Sequence, residues 1–179
     1  MEPSDEVVVR EARSGEYETI GDLVVGAYRT LGDAGDAFYE EQLRDVAGRA
    51  GHSEVLVADL GSIVVGTVTY VPGGRALAHV DDPEAATIRM LGVAPEARGR
   101  GVGEALVRYC IDRARAAGHR RFRLDTRTSM TSAQRLYERL GFQREASHDW
   151  SPAPGLQLLA YVLELEPGRV ARSRAISRQ

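Results

Sequence analysis

Between a short apolar strand at 87–93 and a long amphipathic helix at 101–117, the chain passes through Arg98-Gly99-Arg100-Gly101-Val102-Gly103. Three glycines at alternate positions let the backbone adopt conformations closed to other residues and come close to a ligand. At a helix start the first N–H groups lack intrahelical partners and carry the positive end of the helix dipole, so together they hold an anion. Arg98 and Arg100 can add charge-assisted hydrogen bonds. A strand, a glycine turn and a helix in this order place the chain among α/β folds with a built anion cradle.

Which anion is narrowed by what the sequence lacks. All 23 basic residues are Arg, with no Lys anywhere. A phosphate loop built on Gly-Lys-Ser/Thr, Schiff-base chemistry and any lysine nucleophile are therefore excluded. A dinucleotide fingerprint needs Gly-x-Gly-x-x-Gly, and counting from Gly99 puts Glu104 where the third glycine belongs. A carboxylate there disfavours a dinucleotide pyrophosphate. Cys110 is the single cysteine, so no intrachain disulfide and no cysteine-based zinc site can form, and its place in a helical pattern reads as a packed thiol. No metal is expected.

Charge is unevenly spread behind a net value of −3. Residues 1–50 carry twelve acids against five arginines, whereas 95–123 carry eight arginines against three acids, and 167–179 add four arginines and no acid. Positive charge thus gathers near the glycine loop, and the low net charge gives no reason to expect nucleic acid as a partner. Residues 1–5 lack the basic and apolar regions of a signal peptide and no run reaches membrane-spanning length, so a cytoplasmic protein with no membrane partner is expected. The Arg-, Ala- and Gly-rich, Lys-free composition resembles that of a GC-rich bacterial genome.

Periodicity supplies the order of elements. Val7–Val9 reads as a strand, Ser14 opens a helix carrying Tyr17, Ile20, Val24, Ala27 and Tyr28, and a break at 32–35 precedes a second helix over 37–50. Strands over 54–59 and 63–71 flank a tight turn, 87–93 is the next strand, and Gly118 closes the helix that follows the glycine loop. A strand at 121–126, a helix capped by Thr131 and ended by Gly141, and strands at 142–148 and 156–165 complete a β-α-α-β-β-β-α-β-α-β-β order. One domain over 6–166 is expected, with an Arg-rich, disordered tail at 167–179.

The segment Met90-Leu91-Gly92-Val93-Ala94-Pro95 followed by Arg98-x-x-Gly101-x-Gly103 resembles the acyl-CoA signature of the GCN5-related N-acetyltransferases (GNAT). Ala133-Gln134-Arg135-Leu136-Tyr137-Glu138-Arg139-Leu140-Gly141-Phe142 is similar to that family's second motif, at the expected separation. The resemblance implies a single-domain α/β fold with a mixed, mostly antiparallel sheet, splayed central strands and flanking helices. It also implies acetyl-CoA as co-substrate, its pyrophosphate on the backbone N–H groups of Arg98, Gly99, Arg100, Gly101, Val102 and Gly103. The pantetheine arm would lie along Leu91, Gly92 and Val93, on a strand that carries a bulge. Tyr137 would protonate the departing thiolate. Where the family commonly has Asn, this chain has Met130, so the amide contact to pantetheine is absent; Ser129 and Ser132 are the nearby polar substitutes.

A base for the attacking amine is sought among Glu84, Asp125, His79 and Asp81, near expected strand ends, with Glu84 foremost. Tyr28 and Tyr39 are candidates for the acceptor pocket. The acceptor is a small-molecule or peptide amine, and the protein a monomer or homodimer. The competing reading is a catalytically weak acyl-CoA-binding sensor or scaffold on the same fold.

Overall fold

The computed structural model describes residues 6–30, 37–73 and 82–166. The expected break at 32–35, the candidate bases His79 and Asp81 and the tail at 167–179 lie outside these. The described chain runs β1 (Val7–Glu11), α1 (Tyr17–Thr30), α2 (Ala37–Arg44), α3 (Val46–Ala50), β2 (Glu54–Leu60), β3 (Ile63–Val71), β4 (Ala85–Val93) and α4 (Val102–Ala116). It continues as β5 (Arg121–Arg127), α5 (Thr131–Arg139), β6 (Gln143–Arg144), β7 (Trp150–Ala153) and β8 (Leu156–Glu164). The strands form one sheet in the order β1-β2-β3-β4-β5-β8-β6, with β7 also paired to β8. All neighbours are antiparallel except β4 and β5. This is the mixed, mostly antiparallel α/β fold that the sequence motifs imply.

Strand alternation sorts the side chains into two layers. Leu56, Val68, Tyr70, Ala86, Ile88, Phe122 and Leu124 face α4, whose Val102, Leu106, Val107, Cys110 and Ala114 complete the main core. Val55 and Val57, one residue out of phase with Leu56, face the other way onto Ile20 of α1 and Val46 of α3. The sheet is therefore covered on both sides, α4 and α5 on one and α1 to α3 on the other. Cys110 is fully buried in the main core, as a packed thiol, and burial pushes its pKa well up.

Three local readings are corrected. The helix expected over 37–50 is two, because the Asp45 side chain accepts from the Gly48 N–H and starts a new turn. Thr131 does not cap α5: Met130 holds the N-cap position and no side chain caps it, while Gln134 Nε2 donates to the carbonyls of Arg127 and Thr128. The strand expected over 142–148 is only β6, and a further strand, β7, stands where Ser151–Gly155 reads as a connection. Pro152 is tolerated there because β7, among the described residues, is an outer strand that pairs with β8 alone.

Gly66 sets how closely α4 sits on the sheet. A Cβ at this position would lie 2.6 Å from Val102 Cγ1 and 3.1 Å from Leu106 Cδ1, so only glycine lets the first turn of α4 approach β3. Gly66→Ala should therefore destabilise the protein by about 1–3 kcal/mol through overpacking, measured as a lower denaturant midpoint at unchanged slope.

Candidate active site

Beta strands 4 and 5 pair in parallel only over Ala85–Thr87 and Arg121–Arg123. Beyond that point they part, while β3 holds the outer edge of β4 and β8 holds β5 along its whole length. The paired end is clamped by charge. Arg121 donates to Asp82 (Nε–Oδ2 3.0 Å) and to Glu84 (Nη2–Oε2 3.3 Å), and Arg123 pairs with Glu145 at 2.7 Å. Arg121 holds the Asp82 carboxyl below its usual range.

Near the open end β4 is bulged. Thr67 pairs with Gly92 and Thr69 with Arg89, so β4 carries one residue more than β3 between those pairs. Met90 takes φ 55°, the only non-glycine residue with positive φ among the described residues. Such a conformation costs of order 1–3 kcal/mol and persists only where its surroundings impose it. Gly92 permits α1 to close on the strand, since a Cβ there would meet Val24 and Ala27 within 3.2–3.4 Å.

The glycine loop ends at the mouth of this opening. Gly99 and Gly101 take φ 74° and 79°, and Gly101 is the N-cap of α4. The first intrahelical bond runs from Ala105 N to Gly101 O, which leaves the N–H groups of Val102, Gly103 and Glu104 ahead of it. Gly103 is helical, and a Cβ there would sit at ordinary contact distance from Leu136 and Val93. Arg98 Nη2 donates to the Ala27 carbonyl at 3.1 Å, tying the loop to α1. Glu104 pairs with Arg108 one turn along α4 and, at 3.5 Å, with Arg139, the second pair joining α4 to α5 beside the opening.

These elements enclose a cleft of about 790 Å³. Of the sequence-predicted residues, Leu91, Gly92, Val93, Arg98, Gly99, Gly101, Val102, Gly103 and Tyr137 line it, as do Ser129, Met130 and Ser132. Arg100 is exposed and is not among the lining residues. Tyr137 packs edge-on to Phe142 at 5.8 Å, and burial raises its pKa well above the ordinary phenol value, so it stays protonated at neutral pH.

A second cavity, of about 110 Å³, opens on the α1–α2 side of the sheet. It shares Tyr28, Ile88, Arg89, Met90, Asp125, Thr126 and Met130 with the cleft, so the two meet at the split between β4 and β5. Tyr28 and Tyr39 form its wall, ring centroids 6.1 Å apart, and the Arg127 guanidinium lies 5.5 Å from the Tyr39 ring centre. Asp125 Oδ2 accepts from the Trp150 indole N–H at 3.1 Å. Burial raises the Asp125 pKa above the usual carboxylate range, against the lowering effects of Trp150 and Arg89.

Glu84 is not brought to this site. It precedes β4 at the paired end of the strands, is half exposed, engages Arg120 and Arg121, and lines neither cavity. A carboxylate close to a strand's start reads as a candidate base only until the strand's direction is known. Arg89 is the residue that sequence reasoning missed. Its signal was a single charge inside the otherwise uncharged run Ala85–Val93, on the same strand phase as Thr87.

The sequence model of the Acetyltransferase (GNAT) family matches residues 18–142. The chain belongs to this family. Human N-acetyltransferase 8B is 33% identical over 123 residues, covering 65% of this chain and 51% of that protein. The mycothiol acetyltransferase of Beutenbergia cavernae is 44% identical over 68 residues, 37% of this chain and 23% of that one. The chain thus spans about half or less of the length of these relatives, which are mammalian as well as bacterial, so likeness does not decide the bacterial origin expected from composition. A GNAT-family acetyltransferase from Staphylococcus aureus shares the fold at TM-score 0.71 and 16% identity, over 90% of this chain and 100% of that one. A Salmonella typhimurium acetyltransferase solved with its cofactor acetyl-CoA does so at TM-score 0.66 and 19% identity, over 91% and 96%.

Replacing Gly101 by Ala would force a side chain into the left-handed conformation, at about 1–2 kcal/mol. For a domain of this size that is a melting temperature lower by roughly 2–8 °C, read by thermal denaturation without ligand.

Proposed function

We propose that this protein transfers the acetyl group of acetyl-CoA to a primary amine by direct attack in a ternary complex. The observation that carries this reading is the split itself: a long cleft from the α4 glycine turn on one side meets a small cavity from the other side. The residues fit the donor. The free N–H groups at the start of α4 suit a pyrophosphate, and the unpaired inner edge of β4 suits the amides of a pantetheine arm. A backbone N–H released by the bulge near Leu91 is the group to polarise the thioester carbonyl.

The amine enters from the small cavity, and its nitrogen attacks the thioester carbon. The carbon–sulfur bond breaks as the amide forms. Tyr137 gives its phenolic proton to the departing thiolate, and Asp125 takes the proton lost by the nitrogen, directly or through one water. Solvent then restores both groups. Asp125 replaces Glu84 in the role of base because it stands at the meeting point of the two cavities. The catalytic unit is residues 6–166, the acceptor a small molecule or peptide amine. Among the described residues no helix is long and apolar enough to cross a membrane, and a cytoplasmic location belongs to this proposal.

Titration calorimetry with acetyl-CoA, CoA and NAD tests the donor: tight binding of acetyl-CoA supports the reading, and a preference for NAD overturns it. Tyr137→Phe should lower turnover by about 10² or more, followed as free thiol, with little change in acetyl-CoA affinity. An unchanged rate removes Tyr137 from the mechanism. The base must be ionised to act, so kcat/KM should fall as pH drops through the Asp125 pKa, which burial places above the usual carboxylate range. Asp125→Asn should lose roughly 10²–10⁴ in rate together with that acidic limb.

A further inference from the structure

Resting on the acetyl-transfer reading, in which Asp125 is the base, the question is what holds that carboxylate. Asp125 lines both cavities, and its Oδ2 accepts a hydrogen bond from the Trp150 indole N–H at 3.1 Å. Trp150 itself lines neither cavity. It is the only tryptophan of the chain and opens β7.

Register places the indole beside the carboxylate. Asp125 pairs with Ala160 and Arg127 with Leu158 across β5 and β8, and Leu158 pairs with Trp150 across β8 and β7. Side chains at paired positions share a face of the sheet, as do positions two apart along one strand. Asp125, Leu158 and Trp150 therefore stand together on the α1–α2 side, with the indole reaching back over β8. The start of β7 is pinned to the same place. Asp149, the residue before Trp150, accepts from the Ala160 N–H at 2.8 Å and is held by Arg144 through two bonds of 2.8 and 2.7 Å. Ala160 is the register partner of Asp125, so the indole donor is anchored to the strand pair that carries its acceptor.

We propose that Trp150 is a positioning residue for acetyl transfer, its indole N–H fixing the rotation of the Asp125 carboxylate and favouring the ionised form that accepts the amine proton. An indole N–H can only donate, and a hydrogen bond to the charged form of an acid stabilises that form. Around Asp125 stand Arg89 on β4, Tyr28 on α1, Tyr39 on α2, Arg123 and Arg127 on its own strand, and Asp149 beside β7. Burial, the largest influence, raises the Asp125 pKa; the Trp150 bond, Arg89 and Arg123 lower it, and Asp149 raises it. Arg144 holds the Asp149 carboxyl below its usual range, so the two neighbouring carboxyls titrate apart.

The test is the Asp125 titration, followed by carboxyl carbon-13 NMR in protein labelled at aspartate, with its resonance assigned by its loss in Asp125→Asn. In Trp150→Phe, which keeps an aromatic ring but no donor, the Asp125 pKa should rise by roughly 0.5–1 pH unit. The acidic limb of kcat/KM for acetyl transfer should move up by the same interval, since less of the carboxylate is then ionised at any given pH. A merely structural role for Trp150 moves neither. Should W150F not fold, the unaltered chain supplies its own probe. Trp150 is the single indole, so its fluorescence should follow pH with the Asp125 midpoint, and Asp125→Asn should abolish that transition. An Asp125 titration unchanged in Trp150→Phe, or a fluorescence transition that persists in Asp125→Asn, overturns this inference alone. A titration that shifts while the acidic limb stays in place overturns the Asp125 base on which it rests. Failure to bind acetyl-CoA overturns the transfer reading as a whole.

Discussion

The parting of β4 and β5 after three paired residues is the constraint on which the site depends. Each strand keeps a full partner on its outer side, β3 for one and β8 for the other, so the split forfeits only the inner ladder. Backbone groups along that inner edge must still find hydrogen bonds, in water or in something extended laid beside them. The helices hold the gap open from both faces. Alpha helix 4 comes down over Gly66 on one side, and α1 comes down over Gly92 on the other. Charge closes the opposite end, through Asp82, Glu84, Arg121 and Arg123.

Around that split the parts of the site are tied to one another. Arg98 joins the glycine turn to the Ala27 carbonyl, and the neighbouring Tyr28 lines both cavities. Met130, at the start of α5, packs against the α1–α2 cluster of Val24, Val25, Tyr28 and Leu43 while lining both cavities. Met130 thus contributes packing that seats α5 on α1 and α2. The Glu104 pairs with Arg108 and Arg139 are exposed, and contacts of that kind are worth at most about 1 kcal/mol each. Of the two, only the Arg139 pair links α5 to α4.

Much of this was legible in the chain. Glycine spacing located the turn that opens α4, because a helix start is a local structure that local residues determine. Tyr137 and the Leu91–Val93 segment were found through motif likeness, and both line the cleft. What was not legible depended on pairing. Nothing near Glu84 tells that β4 begins at the closed end of the split. Nothing near Arg89 tells that it lines both cavities. Pro152 hid β7 because local rules discount proline where the sheet's edge admits it. Asp45 split a helix that periodicity alone would run together.

Along β5 the division of labour follows the strand's period of two. Phe122, Leu124 and Thr126 are buried on the α4 side, while Arg121, Arg123, Asp125 and Arg127 stand on the other phase, half-buried. Core packing and charged contacts thus draw on alternate letters of one seven-residue word. Substitutions at Asp125 and Arg127 can alter the cavity wall without touching a core residue, whereas Arg121 and Arg123 are tied into the charged clamp. An insertion or deletion of one residue within the strand has no such freedom, since it would exchange the two sets and spoil both at once.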